Sequence, residues 1–521
     1  MQLTAEVRER LDEDVLAYIN TLESRNEQLL EELRIALYRK FGRSSEIDRG
    51  EPQLFDESET ESADTKESGE SDSDETVEVA AHTKKKPGRR PIDDALPRVE
   101  IRHDIDEADK HCGCGSEMVC IGEETSERLQ VIPEQVWVER HVRPKYACHA
   151  CEGSGDEEKP AVRIAPAAPS LMPGSIATAG LLAFIITNKF CDHMPFYRQE
   201  KRFERIGVHI SRQVMAGWMM AVANRISPLI ELIAKRIREG PRIHMDETRM
   251  QVLGEPGKDN TSQSYMWLAL GGGPGAPLCL YHYSPTRGAE YPRVFLAEYK
   301  GALQTDAYGV YARIAAEYPN IVPVGCWAHA RRKFHEAAKA GKKTSAAREA
   351  LGRISKLYRI EGELRADELS GEEFVSKRRE RVEPELAKFR QWLENKREQV
   401  VPSTLLGKAL AYTLEQWDAL TRYLDYAELT PDNNFAEQQI RPFVVGRKNW
   451  LISGSPRGAE ASCALYSLIQ TAKLNGLNPF AYLHHVFTQA ATFCDESQWE
   501  QLLPTNQDAE RINSGFPVTV R

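Results

Sequence analysis

Across residues 5–41, apolar side chains recur at alternating steps of three and four: Val15, Ile19, Leu22, Leu29, Leu33 and Ala36, with Asn26 in the same seam. This spacing predicts one helix with a stripe narrow enough for a short coiled coil. A polar Asn at a single core position sets register and strand number at some cost in stability. The alternative is an amphipathic helix packed on its own chain. The pattern lapses over residues 44–83, which are rich in Ser, Glu, Asp and Thr and cannot bury enough apolar surface to order themselves.

Alternation returns over residues 126–146 (LQVIPEQVWVERHVRPKY), which read as strands between two pairs of cysteines. Residues 171–238 have helical periodicity. Within them PFYRQEKRFERIGVHISRQVMAGWMMAVANRI reads as a helix, a turn at Gly207 and a second helix capped by Ser211 and led by Arg212. Such a helix-turn-helix places its second helix in a DNA major groove, although helix pairs of this kind also occur without that role.

From residue 242 the periods alternate. Strands are expected at 243–253, 264–271 and 277–283, then a helix at 286–299, a strand at 301–305, a helix at 307–317 and a strand at 321–326. Three sequential strands followed by alternating helix and strand is the order of an RNase H-like α/β fold. Residues 340–425 are charged and helical with no strand signal, so they read as an insertion.

We therefore expect a multidomain α+β protein with eight segments: a coiled-coil, dimerisation helix (1–43), a disordered acidic tract and basic linker (44–95), a zinc-finger-like domain (96–165) and a helical DNA-binding domain (166–240). An RNase H-like core follows in two parts (241–338 and 429–484), split by the helical insertion (339–428) and ending in a carboxy-terminal segment (485–521).

Composition changes the picture in two places. The net charge is −10, but Asp56–Glu78 holds eleven acidic residues against Lys66 alone, so that tract accounts for the whole of it. The neutral remainder can carry basic faces, and an acidic pI does not exclude nucleic acid. Ten cysteines in 521 residues, with charged residues throughout the first fifteen and no apolar run beyond Ile176–Ile186, point to reduced thiols, a cytoplasmic location and no membrane.

Cys112 and Cys114 in HCGCGSEM, with Cys148 and Cys151 in YACHACEG, suit a structural zinc site of four thiolates. The first pair is closer than usual, which leaves His111 or Cys120 as substitute ligands. Unmetallated thiols in a small β domain are the alternative. Upstream, KKKPGRRP presents Arg89 and Arg90 in a form that lies extended in a minor groove, or serves as a solvated linker.

Three carboxylates carry the chemistry: Asp246 on the first expected strand, Asp306 just past the fourth, and Glu437 on a helix that Asp432, Asn433 or Asn434 can cap. The first and fourth strands are neighbours in such a fold, so Asp246 and Asp306 can share a cation. Mg²⁺ or Mn²⁺ takes oxygen ligands and keeps positions open for phosphate and water. Two such ions activate an attacking oxygen and stabilise a leaving one. Glu247 and Asp432 are the local competitors for two of the three roles.

Cys326 and His329 are half of a metal-binding spacing with no second pair nearby, and a packing or hydrogen-bonding role is expected. Arg331, Arg332 and Lys333, then Arg441, Arg447, Lys448 and Arg457, are candidates to grip a DNA backbone; surface ion pairs are the alternative.

HMDET, LQTDAYGVY, GCWAHARRKFHEA, DNNFAEQQIRPFVVGRKNWLISGSPRGA and DHMPFYRQEKRFERIGVHIS together resemble the insertion sequence 66 family of bacterial transposases, as do FGRSSE, GRRP and RHVRPKYAC. The resemblance spans nearly the whole chain. It implies a DDE-type recombinase with Asp246, Asp306 and Glu437 as metal ligands, a zinc-finger-like domain around Cys112–Cys151 and a carboxy-terminal segment from about residue 485. It also implies action on double-stranded DNA, at terminal inverted repeats and a target, by a homo-oligomer with companion proteins from the same element. The rival readings are a structure-specific nuclease or resolvase on the same fold and a non-catalytic, transposase-derived DNA-binding regulator.

Overall fold

The computed structural model describes residues 136–147, 162–273, 275–340, 345–367, 371–493 and 497–514, with residues 369 and 495 and single positions between 12 and 33. The chain divides into two compact units, Ser62–Val142 and the remainder. Arg89, Arg90, His111, Cys112, Cys114, Cys120, Cys148 and Cys151 lie outside the described residues. In the first unit, residues 136–142 are exposed and form no strand, unlike the expectation for 126–146; among the described residues of that stretch the strand begins only at Lys145.

In the larger unit, the described positions from 15 to 33 are helical. Val15, Leu22, Leu29 and Leu33 of the expected seam are exposed there. Lys145–Ala147 (β1) and Val162–Ile164 (β2) form an antiparallel pair. Four helices follow: α1 (Ala179–Phe190), α2 (Phe196–Arg205), α3 (Arg212–Arg225) and α4 (Ser227–Glu239).

The turn between α2 and α3 forms as expected. Gly207 takes φ +80°, which a side chain would resist, and the Ser211 hydroxyl accepts the Val214 N–H at 3.3 Å to cap α3. Met215, Trp218, Met219 and Val222 bury one face of α3. Arg212, Gln213, Gly217 and Ala221 leave the other open and narrow.

The sheet consists of β3 (Arg242–Gln251), β4 (Gln263–Gly273), β5 (Ala276–Ser284), β6 (Gly301–Gln304) and β7 (Ile321–Val324), in the order β5-β4-β3-β6-β7. The first three strands run antiparallel, with Asp246 opposite Leu268. β6 joins β3 in parallel, with His244 opposite Gln304, and β7 joins β6 in parallel. Parallel neighbours need crossovers. Helix α5 (Glu290–Leu296) leads into β6, and α6 (Gly309–Glu317) connects β6 to β7.

α7 (Trp327–Ala340) leaves the end of β7 and enters the insertion: α8 (Ala346–Ala366), α9 (Gly371–Gln399), α10 (Leu405–Glu415), α11 (Trp417–Thr421) and a 3₁₀ turn at Arg422–Asp425. The insertion shares its core with the sheet, because Ala302, Val324 and Trp327 pack with Ile354, Phe389, Leu410 and Trp417. Backbone bonds join the same region: Gly325 N–H to Ala419 O at 2.9 Å and Trp327 N–H to Pro431 O at 2.9 Å.

Arg378 is buried completely. It donates to the carbonyls of Tyr423, Tyr426 and Leu429 and to the Glu361 carboxylate, all within 2.9 Å. Those carbonyls belong to the chain that returns to the sheet.

That chain becomes α12 (Asn434–Trp450), followed by α13 (Pro456–Leu474), α14 (Pro479–Ala490), α15 (Ser497–Glu500) and α16 (Ala509–Ser514). β5 is an edge strand, and an unpaired edge is a liability in water. α13 covers it: the Ser467 and Thr471 hydroxyls accept the N–H groups of Tyr281 and Cys279 at 2.8 and 3.0 Å. Among the described residues, no helix is long and apolar enough to cross a membrane.

Candidate metal centre

Asp246 lies midway along β3, Asp306 two residues beyond β6, and Glu437 in the first turn of α12. The parallel pairing of β3 with β6 brings the two aspartates to the same end of the sheet. The residue that precedes α12 ties it to β3. The Asn433 amide donates to Met245 O at 3.0 Å, and its Oδ1 lies 3.0 Å from Nδ1 of buried His244. Burial pushes His244 down to about 4, so the ring is neutral at neutral pH and Nδ1 carries the proton donated to Asn433.

The charges of the three carboxylates act on one another, while the donors that gather within 4.8 Å among the described residues are those of Cys326, His329 and Glu437. Asp246 is held well above the usual carboxylate range by burial first, then by the charges of Glu247, Glu437 and Asp306; the Glu247 backbone N–H alone opposes them. Glu437 is raised by burial, with Arg332 opposing and Asp432 and Asp306 adding. Side chains separated by 60 and 131 residues in sequence therefore share one field.

Both competitors are committed elsewhere. Glu247, almost fully buried, accepts Arg287 Nε and Nη2 at 2.8 and 2.6 Å and the Tyr311 hydroxyl at 2.8 Å. The Arg287 guanidinium in turn stacks on Tyr308, 4.0 Å from the ring centre. Asp432 accepts the Asn434 N–H at 3.1 Å and a bond from Tyr358. Of the three residues expected to cap this helix, Asp432 supplies the carboxylate that meets its first N–H, while the Asn433 side chain turns to β3.

Cys326 joins the two helices that border the site. Its Sγ accepts the Asn433 N–H at 3.2 Å, ahead of α12, and the His329 N–H in the first turn of α7. The thiol is buried, and burial raises it far above its ordinary value, so it acts as a neutral acceptor. The hydrogen-bonding role expected for Cys326 is the one found. His329 is also more than a packing residue: its Nδ1 lies 3.9 Å from Glu437 Oε1, and burial brings it down to about 4, with Arg332 adding.

The basic candidates divide. Arg332 Nη2 lies 3.7 Å from Glu437 Oε2, and Arg331 beside it is half-buried. Lys333 is exposed, with its ammonium 4.6 Å from the Tyr412 ring centre. Arg447 is turned inward, donating to Arg249 O and lying over Phe443; burial pulls its pKa down. Lys448 and Arg457 are exposed, Arg441 is half-buried, and Arg212 sits exposed at the start of α3. Sequence reasoning missed the Arg287–Glu247–Tyr311 lock and the Arg378 clamp, because neither has a local pattern.

Several family models match the chain. "Transposase IS66 family" matches residues 174–461, which contain all three carboxylates. "Zinc-finger binding domain of transposase IS66" matches residues 109–152, spanning Cys112, Cys114, Cys148 and Cys151, and supports a structural zinc. "IS66 C-terminal element" matches residues 467–505, and "Transposase C of IS166 homeodomain" matches residues 28–101. Similar proteins occur in Sinorhizobium fredii. The uncharacterized protein y4jD is 33% identical over 80% of this chain and 81% of its own length. The uncharacterized protein y4qI is 32% identical over 86% and 83%.

Proposed function

Since the chain belongs to the IS66 transposase family, we propose that it binds the ends of a bacterial insertion sequence and performs metal-dependent cleavage and strand transfer. The observation that carries this reading is the field at Asp246, raised by Glu437 and Asp306 from two other elements. Buried carboxylates that repel one another are poised for a divalent cation, whose charge relieves the repulsion.

The donor set fits Mg²⁺ or Mn²⁺, with Asp246, Asp306 and Glu437 holding it. When bound, a pair of such ions supplies the Lewis acidity for attack by water and then by a 3′ hydroxyl. The protein's own part is placement. Asn433 fixes the approach to α12 against β3, Cys326 fixes it against α7, and Glu247 with Tyr308 holds Arg287 where its charge is felt by Asp306.

On this reading the sheet and α12 form an RNase H-like core, to which the strand order β5-β4-β3-β6-β7 lends support. The α2–α3 pair reads DNA through the open face of α3, and Arg89 and Arg90 reach an adjacent groove. Residues 1–43 pair two copies so that both ends are held at once, and 96–165 form a zinc-stapled module. The domain limits given above follow the same division.

Labelled terminal repeats test the proposal. Joined product is the expected result with Mg²⁺ or Mn²⁺. Cut ends that never join would mark a nuclease, and binding without either would mark a regulator. Either outcome overturns the transposase reading.

A further inference from the structure

The two oxygens of Glu437 meet different partners. Oε2 faces Arg332 Nη2 at 3.7 Å, an ion pair, while Oε1 faces His329 Nδ1 at 3.9 Å. The second gap is too wide for a hydrogen bond. His329 Nδ1 is nevertheless buried and has no hydrogen-bond partner, an arrangement that costs free energy if nothing lies between. A cation bound by an imidazole nitrogen and a carboxylate oxygen, each at about 2.1 Å, spans up to about 4.2 Å between donors. The observed separation falls inside that span.

The placement is built in. Cys326 caps α7 through the His329 N–H and also holds the Asn433 N–H ahead of α12, so one sulfur fixes the imidazole against the carboxylate. Sγ lies within 4.8 Å of a ring nitrogen of His329 and a carboxylate oxygen of Glu437, but its accepting capacity is spent on these two N–H groups. Asp306 is close enough for its charge to act on His329, so the imidazole faces the shared field rather than a separate pocket.

We propose that His329 is a nitrogen ligand to the divalent cation held by Glu437, making the centre a mixed nitrogen–oxygen site. The inference rests on the reading of Asp246, Asp306 and Glu437 as the metal centre. A nitrogen ligand disfavours Mg²⁺, which keeps oxygen ligands and waters in strict octahedral geometry, and so gives the site a preference for Mn²⁺ over Mg²⁺.

The test is electron spin-echo spectroscopy of the tag-free, full-length protein loaded with Mn²⁺. The expected result is nitrogen modulation from a bound imidazole, absent in His329→Ala and in the better-packed His329→Gln, with Mn²⁺ binding about tenfold weaker or more in both. Modulation that persists in both variants overturns the inference, as does Mn²⁺ binding that needs Asp246 and Glu437 but shows no nitrogen. Mn²⁺ binding indifferent to Asp246→Asn and Glu437→Gln overturns the underlying metal centre, and the inference with it.

Discussion

Asp246 and Glu247 follow one another on β3, and the backbone N–H of the second donates to the carboxylate of the first at 2.8 Å. Asp246 shares a field with Asp306 and Glu437, and Glu247, whose charge adds to that field, is itself hydrogen-bonded by Arg287 and Tyr311. Asp246→Asn is therefore expected to abolish cleavage and strand transfer while leaving end binding intact. Glu247→Gln should keep the chemistry and lose about 1–3 kcal/mol of stability through its weakened buried bonds. Cleavage assays beside denaturant titrations check the pair, and cleavage by Asp246→Asn would remove that residue from the site.

The raised carboxyls give a signed pH dependence. In chelated protein, Asp246 has a folded pKa above its ordinary 3.8. Its protonated form favours the fold, so this contribution is fully present below the ordinary value and is lost as pH rises through the folded one. At neutral pH, Asp246→Asn should thus raise the melting temperature of chelated protein, and the gain should vanish in acid. Mn²⁺ should raise the melting temperature of the natural protein far more than that of the variant. Melting curves across pH, with and without metal, decide it.

Arg378 is buried and holds three carbonyls of the returning chain as well as Glu361. Removing one member of a buried pair strands the other, at a cost of about 3–5 kcal/mol. Arg378→Met should show that loss in urea unfolding and should lower transposition through misplacement of α12. A variant as stable as the natural protein would contradict the clamp.

DNA binding should separate exposed cations from one turned inward. Lys448→Ala and Arg457→Ala are each expected to reduce the slope of log affinity against log salt by about 0.9, the signature of one lost phosphate contact. Arg447→Ala should instead destabilise the protein, because its guanidinium already serves Arg249 O and Phe443. Equal salt slopes for all three variants would refute the division.

Much of this site was legible because strands are short and sharply bounded. The periods around Asp246 and Asp306 predicted their elements to within a few residues, and Gly207 with Ser211 marked the α2–α3 turn by local chemistry alone. Departures have local causes as well. The helix expected over 286–299 begins at Glu290, because Ser284 and Thr286 accept backbone N–H groups and hold the preceding residues in a turn. The strand expected to reach residue 326 stops at Val324, where Gly325 turns to Ala419 and Cys326 starts α7.

What sequence could not supply was long-range pairing. Arg378 looks like any solvated charge on a charged helix, and its partners lie 17 to 51 residues away. Arg287 stands 40 residues from the Glu247 it locks. His329 and Glu437, 108 residues apart in sequence, meet only because one thiol caps the start of one helix and anchors the approach to the other.

The Arg378 clamp ties the inserted helices to the chain that carries Glu437. Its guanidinium holds the last stretch of chain before α12, so the packing of α8 on α9 and the position of Glu437 are expected to be linked.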